Sequence, residues 1–290
     1  MGMMLAMKYG INMLFWGAVI GEAEYPLLDQ IKAWGFDGVE IPTFSADMPR
    51  YKKLGAKLKE IGLQCTTCSV VGKEANPLDP SPAVRQAAVD FLKLMIDHNH
   101  EIGSKVMMGP YSSPVGGLVG RPRTEDEWKR AVEVMQKIAP HAHHAGVHLA
   151  LEYLNRFEHY FINDTATAAK FVDEVNHPNF KLTYDTFHSN IEEKGIAESV
   201  RASGKRIIHV HISENDRSTP GEGHVHWDET FKTLAEVGYD GWMVIEAFGS
   251  ALPELAAATC IWRKMFPDEK HLATNGLAFM KKNVAKYWKK

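Results

Sequence analysis

Cysteine is scarce in this chain of 290 residues, and the three cysteines present are an odd number. So small and uneven a set does not build a disulfide framework, which favours a cytoplasmic location. Cys65 and Cys68 form a Cys-x-x-Cys pattern, but they lie in an apolar run that is typical of a strand. Residues three apart on a strand point to opposite faces, so the two sulfur atoms cannot share a metal ion or a disulfide bond.

The net charge is also small, at −3, and the apolar runs are short. This charge provides neither a basic stripe for nucleic acid nor a polybasic patch for a membrane surface. No run approaches the roughly 20 apolar residues of a membrane span. Residues 1–7 lack the charged start, apolar stretch and cleavage site of a signal peptide. We therefore expect no nucleic acid and no membrane as partner, and we interpret residues 1–6 as an N-terminal extension.

Motifs of several large enzyme classes are missing as well. The glycine-rich stretches 116–120 and 221–223 match neither a P-loop nor a dinucleotide-binding fingerprint. The Gly-x-Ser-x-Gly elbow of serine hydrolases is not found either. The sequence therefore does not indicate nucleotide-dependent chemistry or a serine nucleophile.

What the chain does have is a regular alternation of short, β-rich apolar runs with amphipathic helical patterns. A hydrophobic content of 45% is typical of a globular protein with a substantial core. The pattern predicts eight strands, at Lys8–Leu14, Gly38–Ile41, Gln64–Val71, Lys105–Gly109, His148–Leu154, Lys181–Asp185, Ile207–Ile212 and Trp242–Ala247. It predicts helices at Tyr25–Trp34, Arg50–Ile61, Val84–Ile102, Glu125–Ala145, Ala166–Val175 and Trp227–Val237.

Eight strands that alternate with helices predict an α/β fold, a closed (β/α)8 TIM barrel that forms a single domain over residues 1–290. An open doubly wound sheet is the alternative, but it usually has fewer strands. The segments 35–41 and 238–246 also resemble each other: each runs from a glycine through a turn into a strand that carries a glutamate. Such an internal similarity favours a fold built from repeated strand–helix units.

Four residues that can bind a metal ion stand at the carboxyl ends of four consecutive predicted strands. They are Glu152, Asp185, His211 and Glu246. Alternation along each strand turns all four side chains inward, while the residues between them are apolar, as positions that face helices should be. Active sites of barrel enzymes lie at this end of the strands, so we expect the four side chains to converge in the barrel mouth.

Three carboxylates and one imidazole in a partly apolar cavity would be costly to bury unless a cation neutralised them. A donor set rich in oxygen with a single nitrogen suits Mn²⁺, Mg²⁺ or Co²⁺ better than a metal that prefers thiolates. We therefore predict one divalent metal ion at the mouth of the barrel.

The segments around these residues resemble the motifs of a known enzyme family. Residues 152–158, 185–193, 209–217 and 245–248 read EYLNRFE, DTFHSNIEE, HVHISENDR and IEAF, and they are similar to motifs of the D-tagatose, D-allulose (D-psicose) and L-ribulose 3-epimerases. That family belongs to the xylose-isomerase-like TIM barrel superfamily. The resemblance implies that the four residues bind one ion, usually Mn²⁺, which contacts O2 and O3 of a ketose. It also implies that Glu152 and Glu246 are the acid and base that invert C3 through a cis-enediolate.

The same resemblance implies further substrate-binding residues. Glu158, His188 and Arg217 match positions that bind the O1–O3 end of the sugar, Cys68 matches a cysteine near O1, and Phe15 with Trp16 partly matches an aromatic pair at the first strand. The sequence departs from the family pattern where Ser189 replaces a methionine, Ala247 a proline and Asp216 an asparagine, and the loop 109–117 lacks a tryptophan often present there. These departures leave the metal and proton-transfer residues intact and predict altered walls around O4–O6.

Other functions remain open on the same scaffold. An aldose–ketose or hydroxypyruvate-type isomerase, or a dehydratase of an inosose or keto-sugar, would use the same metal residues. An endonuclease acting on abasic DNA would need several metal ions and a basic groove, which the net charge does not support. A sugar-binding protein without catalysis would not need two carboxylates across a metal ion. The sequence therefore predicts a ketose 3-epimerase with a small ketose as substrate, and we expect a homodimer or homotetramer.

Overall fold

Eight parallel strands form a closed barrel in the computed structural model, which describes residues 7–250 and 252–288. Each strand pairs with the next one along the chain, and the first pairs with the last. The strands are β1 (Lys8–Asn12), β2 (Gly38–Pro42), β3 (Gln64–Cys68), β4 (Val106–Gly109), β5 (His148–Glu152), β6 (Phe180–Asp185), β7 (Ile207–Ile212) and β8 (Trp242–Ile245). The predicted (β/α)8 fold is confirmed, while residues 1–6, interpreted above as an extension, lie outside the described residues.

Helices follow the strands and surround the barrel. They are α1 (Tyr25–Trp34), α2 (Met48–Ile61), α3 (Pro82–Ile102), α4 (Glu125–His144), α5 (Thr165–Val175), α6 (Thr186–Glu192), α7 (Ile196–Ser203), α8 (Trp227–Glu236), α9 (Pro253–Ala258) and α10 (Glu269–Tyr287). The six predicted helices are confirmed to within a few residues. The short helices α6, α7 and α9 were missed, since an amphipathic period is hard to detect over six to eight residues.

Local sequence signals fix the helix ends. The hydroxyl of Thr124 caps the amide of Glu127, and the Glu127 carboxylate bonds back to the Thr124 amide, which starts α4. Gly35 ends α1 with φ at 94°, a left-handed conformation that a residue without a Cβ adopts at little cost. These caps hold the helices in register with the strands that precede them.

Four of the strands end earlier at the barrel mouth than the apolar runs predicted. In β1 the side chain of Asn12 accepts a hydrogen bond of 2.8 Å from the amide of Leu14 and caps a 3₁₀ turn over Met13–Phe15. Strands β3, β5 and β8 also stop two to three residues before their predicted ends, at Cys68, Glu152 and Ile245. The residues beyond these points leave the barrel ladder and form the walls of its mouth.

The apolar core lies between the barrel and the helices in two large clusters. One cluster joins β1, β2, β7 and β8 to the helices on their side, and the other joins β4, β5 and β6 to α3, α4 and α5. The interior of the barrel is more polar and includes the buried side chains of Glu40, Thr66, Thr183 and His209. In the described part of the chain, no helix combines the length and the apolar character required to cross a membrane.

Candidate metal centre and active site

A cavity of about 340 Å³ opens at the carboxyl ends of the barrel strands. Its polar wall is formed by Glu152, Glu158, His188, Arg217 and Glu246. The rest of the lining is largely apolar and includes Leu14, Phe44, Val70, Val71, Met108, Val115, Phe248 and Leu255. A small ligand can therefore form polar contacts with one part of the lining and apolar contacts with the rest.

The four predicted metal-binding residues meet at the polar side of this cavity. Glu152, Asp185, His211 and Glu246 are all buried, and each places one ligand atom within 4.8 Å of the others. His211 Nδ1 is central, because it lies 3.5 Å from Glu152 Oε1, 3.4 Å from Asp185 Oδ2 and 3.3 Å from Glu246 Oε1. The parallel ladder explains the convergence, since Asp185 is directly opposite His211 in the pairing of β6 with β7.

Asp185 uses its two oxygens for different tasks. Oδ1 accepts hydrogen bonds from the amides of Phe187 and His188, so it caps α6, which begins directly after β6. Oδ2 is left to face His211 and the guanidinium of Arg217, at 3.4 and 3.3 Å. The cap therefore fixes the orientation of the carboxylate that faces the cluster.

Burial opposes the accumulation of negative charge in the cluster. Burial raises the pKa of Glu152 to about 8. Glu246 is equally buried, but the charges of His211 and Arg217 outweigh burial and lower the pKa of its carboxyl. Burial also disfavours a charged His211, yet the carboxylates of Glu246 and Glu40 prevail and raise the pKa of its imidazole well above the ordinary value. Without a cation, protons on Glu152 and His211 thus supply part of the compensating positive charge.

Two atoms of the cluster indicate that a cation belongs there. Glu152 Oε1 and His211 Nδ1 are buried and have no hydrogen-bond partner among the described residues. Buried polar atoms are nearly always paired, so two such atoms facing each other need a shared partner. A divalent cation is such a partner, and three carboxylates with one imidazole suit an ion that prefers oxygen ligands. The residues present therefore fit a single divalent metal ion.

Arg217 lies beside the cluster and is held in place on several sides. Its guanidinium stacks on the rings of Phe187 and Phe248, at 3.8 and 5.2 Å from their centroids. Its Nη1 donates hydrogen bonds to Asp185 and Glu246. The backbone of Arg217 has φ at 62°, in the left-handed region that non-glycine residues rarely adopt. This unusual turn aims the side chain into the cavity.

Glu214 supports that turn and was not selected by the sequence analysis. Its side chain is fully buried, and the backbone carbonyl of Glu214 accepts the amide hydrogen of Arg217 at 3.0 Å. The Glu214 carboxylate accepts further hydrogen bonds from the amides of Gly221 and Val225 and from the indole of Trp227. It therefore fixes the loop after β7 from which Arg217 projects.

His188 and Glu158 form the next part of the polar wall. His188 Nδ1 accepts a hydrogen bond of 3.0 Å from the amide of Asn155, and its Nε2 lies 3.2 Å from Arg217 Nη2 and 3.9 Å from Glu152 Oε1. Burial lowers the pKa of His188 to about 3, so its ring is neutral. Asn155 also donates to Glu158 Oε1 at 2.7 Å, and burial raises the pKa of that carboxyl. Asn155, which the sequence analysis left without a role, thus orients both side chains.

The remaining predicted site residues are divided between two places. Cys68 lines the cavity, where burial raises the pKa of its thiol well above the ordinary value. Phe15 and Trp16 do not line it: Phe15 packs against Phe266, and the Trp16 indole donates to Glu269 at 2.8 Å. The 3₁₀ turn after β1 is the reason, since it turns Leu14 toward the cavity in their place. A contact of Phe15 or Trp16 with substrate stays a prediction.

Comparison with known proteins gives one consistent result. Residues 28–282 match the family model described as xylose isomerase-like TIM barrel. The chain is 32% identical to a D-psicose 3-epimerase of Ruminiclostridium cellulolyticum, over 92% of this chain and 93% of that one. It is 30% identical to a ketose 3-epimerase of Arthrobacter globiformis, over 95% and 96%. A crystal structure of D-allulose 3-epimerase from Methylomonas sp. in complex with D-allulose superposes with a TM-score of 0.89 at 29% identity, covering 96% of this chain and 97% of that one.

These likenesses extend along almost the whole chain, so they concern the barrel and its mouth together. The segments that carry the metal cluster and the polar wall, from Glu152 to Phe248, lie inside the matched region. The chain therefore belongs to the xylose isomerase-like TIM barrel family and, within it, to the ketose 3-epimerases.

Proposed function

We propose that this protein is a metal-dependent isomerase that interconverts the C3 epimers of a free ketose. The observation that carries the proposal is the pair of buried carboxylates, Glu152 and Glu246, which approach the same atom, His211 Nδ1, at 3.5 and 3.3 Å. They line one cavity together with hydrogen-bond donors suited to a sugar. The relatives named above are epimerases of ketoses, which supports the same assignment.

Inversion at C3 requires two groups that move protons on opposite sides of one carbon. The proton next to a ketose carbonyl is only weakly acidic, and a divalent ion, for which we propose Mn²⁺, would supply stabilisation of the negative charge that develops when it leaves. One of Glu152 and Glu246 removes the proton as a carboxylate, and the other returns a proton from the other face as a carboxylic acid. In the reverse direction the two residues exchange these roles.

The polar wall fits the end of the sugar that reacts. The guanidinium of Arg217 can donate to sugar oxygens, the neutral ring of His188 can form a hydrogen bond with a hydroxyl, and the carboxyl of Glu158 can accept from a hydroxyl. The apolar part of the lining, with Val70 and Leu255 among its residues, has few groups that could select the configuration of the distant carbons. We therefore propose strict recognition of O1–O3 and turnover of more than one ketose.

Isotope labelling tests the reaction directly. The Mn²⁺-loaded protein in D₂O is expected to convert D-fructose, D-allulose, D-tagatose or L-ribulose to its C3 epimer, with deuterium at C3 and none at C1. NMR of the recovered sugar distinguishes these positions. An aldose product or deuterium at C1 would instead indicate a 1,2-isomerase, and loss of water from the sugar would indicate a dehydratase.

Binding of Mn²⁺ is expected to tighten as pH rises. Because burial raises the pKa of Glu152 to about 8 in the metal-free protein, a proton must leave that carboxyl before it can bind the ion. Affinity is therefore lost as pH falls below that value, and a proton on His211 must leave as well. Calorimetric titration between roughly pH 6 and pH 9, in buffers of different ionisation enthalpy, should give about tenfold weaker binding per pH unit for each proton released. An affinity that does not change with pH would contradict this electrostatic picture.

We also propose an oligomeric state and a cellular location. We expect the barrel to act as a homodimer or homotetramer and to work in the cytoplasm. Sedimentation of the purified protein measures the first, and localisation of a tagged chain in its own cell measures the second.

A further inference from the structure

Glu40 is a buried carboxylate inside the barrel, directly beneath the metal cluster. It is the third residue of β2, and no part of its side chain is exposed. Its Oε1 accepts hydrogen bonds from His211 Nε2 at 2.7 Å and from Asn12 at 2.9 Å. Its Oε2 accepts from Thr66 at 2.8 Å and from His209 Nε2 at 2.5 Å. Four donors therefore surround one carboxylate that faces no substrate.

These contacts decide which nitrogen of His211 carries the proton. An ionised carboxylate only accepts hydrogen bonds, so the nitrogen that faces Glu40 must be an N–H donor. In the neutral imidazole the lone pair is then on Nδ1, the atom that lies 3.3–3.5 Å from the three cluster carboxylates. The opposite tautomer would direct an N–H at the ion and a lone pair at Glu40. Glu40 thus selects the one neutral form of His211 that can bind a metal ion.

A second ion held by Glu40 itself is the competing interpretation. Glu40, His209 and His211 also present ligand atoms within 4.8 Å of one another. Each oxygen of Glu40, however, already accepts two hydrogen bonds, including one from each of these imidazoles. The facing ring nitrogens therefore carry protons and have no lone pair for an ion. The hydrogen-bond pattern favours support of the first site over a second site.

We propose that Glu40 is a positioning residue, which fixes the tautomer and the orientation of His211 and strengthens the binding of the divalent ion. A carboxylate behind a ligating imidazole makes the imidazole a stronger donor, and loss of such a partner typically weakens metal binding about 10- to 100-fold. The inference rests on the metal centre of the proposed function, but it does not depend on which reaction follows.

The tautomer can be observed in the unmodified protein. The full chain, labelled with ¹⁵N-histidine and loaded with diamagnetic Mg²⁺, is expected to show His211 with a protonated Nε2 and an unprotonated Nδ1 in long-range ¹H–¹⁵N correlation spectra. Comparison with a His211→Gln sample assigns the signals. A protonated Nδ1 in the loaded protein would overturn the proposal, whatever the variants below show.

Metal titration of variants supplies the second readout. Glu40→Gln is expected to bind Mn²⁺ about 10- to 100-fold more weakly than the parent protein, and excess Mn²⁺ should restore its turnover. Thr66→Val is the matched control, because it removes one donor to Oε2 and leaves the bond between Oε1 and His211. It should weaken Mn²⁺ binding much less. Equal losses in the two variants, or an unchanged affinity in Glu40→Gln, would show that Glu40 acts only through packing.

Two further results separate this proposal from the proposed reaction. If Glu40→Gln does not fold, Glu40→Asp keeps the charge but withdraws it by one methylene, and it should also bind Mn²⁺ more weakly than Thr66→Val. The parent protein could bind Mn²⁺ in a manner that depends on Glu40 and yet fail to epimerise ketoses. That result would leave the positioning role of Glu40 intact and refute the proposed reaction.

Discussion

Glu152→Gln and Glu246→Gln are each expected to lower the rate of C3 epimerisation by about 10²–10⁴-fold, to near the limit of detection. The amide that replaces either carboxyl keeps its shape and one oxygen for the ion, but it cannot take or return a proton. Turnover of D-fructose and D-allulose by the Mn²⁺-loaded variants, followed by NMR, measures the effect. Either variant with the parent rate would remove that residue from the proton transfer.

Exchange of the C3 hydrogen without inversion at C3 should then show which carboxylate acts on which face of the sugar. Each variant retains one base, so it should exchange the C3 hydrogen of one epimer with D₂O and leave the other epimer unlabelled. The two variants should show opposite preferences if Glu152 and Glu246 act on opposite sides of C3, as we propose. Glu222→Gln is the matched control, since Glu222 lies outside the cavity and pairs with His271 at 2.7 Å. It should keep the parent rate.

Asp185→Asn is expected to lower metal content and activity together. Asparagine keeps an oxygen that can cap α6, but it removes one of the three charges that face the ion. We expect Mn²⁺ to bind at least about tenfold more weakly, because loss of a residue that only supports a metal ligand already weakens binding by about that factor. Metal analysis after dialysis and Mn²⁺ titration measure the loss, and chelation of the parent protein followed by addition of Mn²⁺, Co²⁺ or Mg²⁺ identifies the preferred ion.

Thermal unfolding distinguishes loss of the ion from loss of the fold. An ion that binds only the folded state raises the midpoint of unfolding, Tm. Mn²⁺ should therefore raise the Tm of the parent protein and raise that of Asp185→Asn much less. Asp228→Asn is the matched control, because Asp228 is exposed and pairs with Lys286 away from the cavity. A variant of Asp185 with full metal and full turnover would exclude this residue as a ligand.

The positions of the metal cluster could be predicted because they depend on two local rules. Alternation along a strand decides which side chains point inward, and parallel strands bring their carboxyl ends to the same edge. Glu152 and Asp185 end β5 and β6, His211 is the last residue but one of β7, and Glu246 directly follows β8. Neither rule needs knowledge of distant contacts, so spacing along the chain was sufficient to place all four residues.

The supporting residues could not be predicted in this way. Glu40 is separated from His211 by most of the chain, and only closure of the barrel brings them to 2.7 Å. The similarity between segments 35–41 and 238–246 did indicate a glutamate in each of these strands, but it gave no reason to connect Glu40 with a histidine of β7. Asn155 and Glu214 likewise act through hydrogen bonds within loops, and loop sequences have no hydrophobic periodicity from which their structure could be predicted.

The position of the first-strand aromatics also depends on a local turn. The resemblance to a family pair implies that Phe15 and Trp16 contact the sugar, and this stays a prediction. The amide of Leu14 donates to the Asn12 side chain in a turn that places Leu14, and neither aromatic, in the cavity lining. The sequence by itself thus determined the barrel, its helices and the residues at the strand ends, because periodic burial dictates them. Only the tertiary structure decided which groups orient those residues, since such contacts join atoms whose positions are fixed when the whole barrel closes.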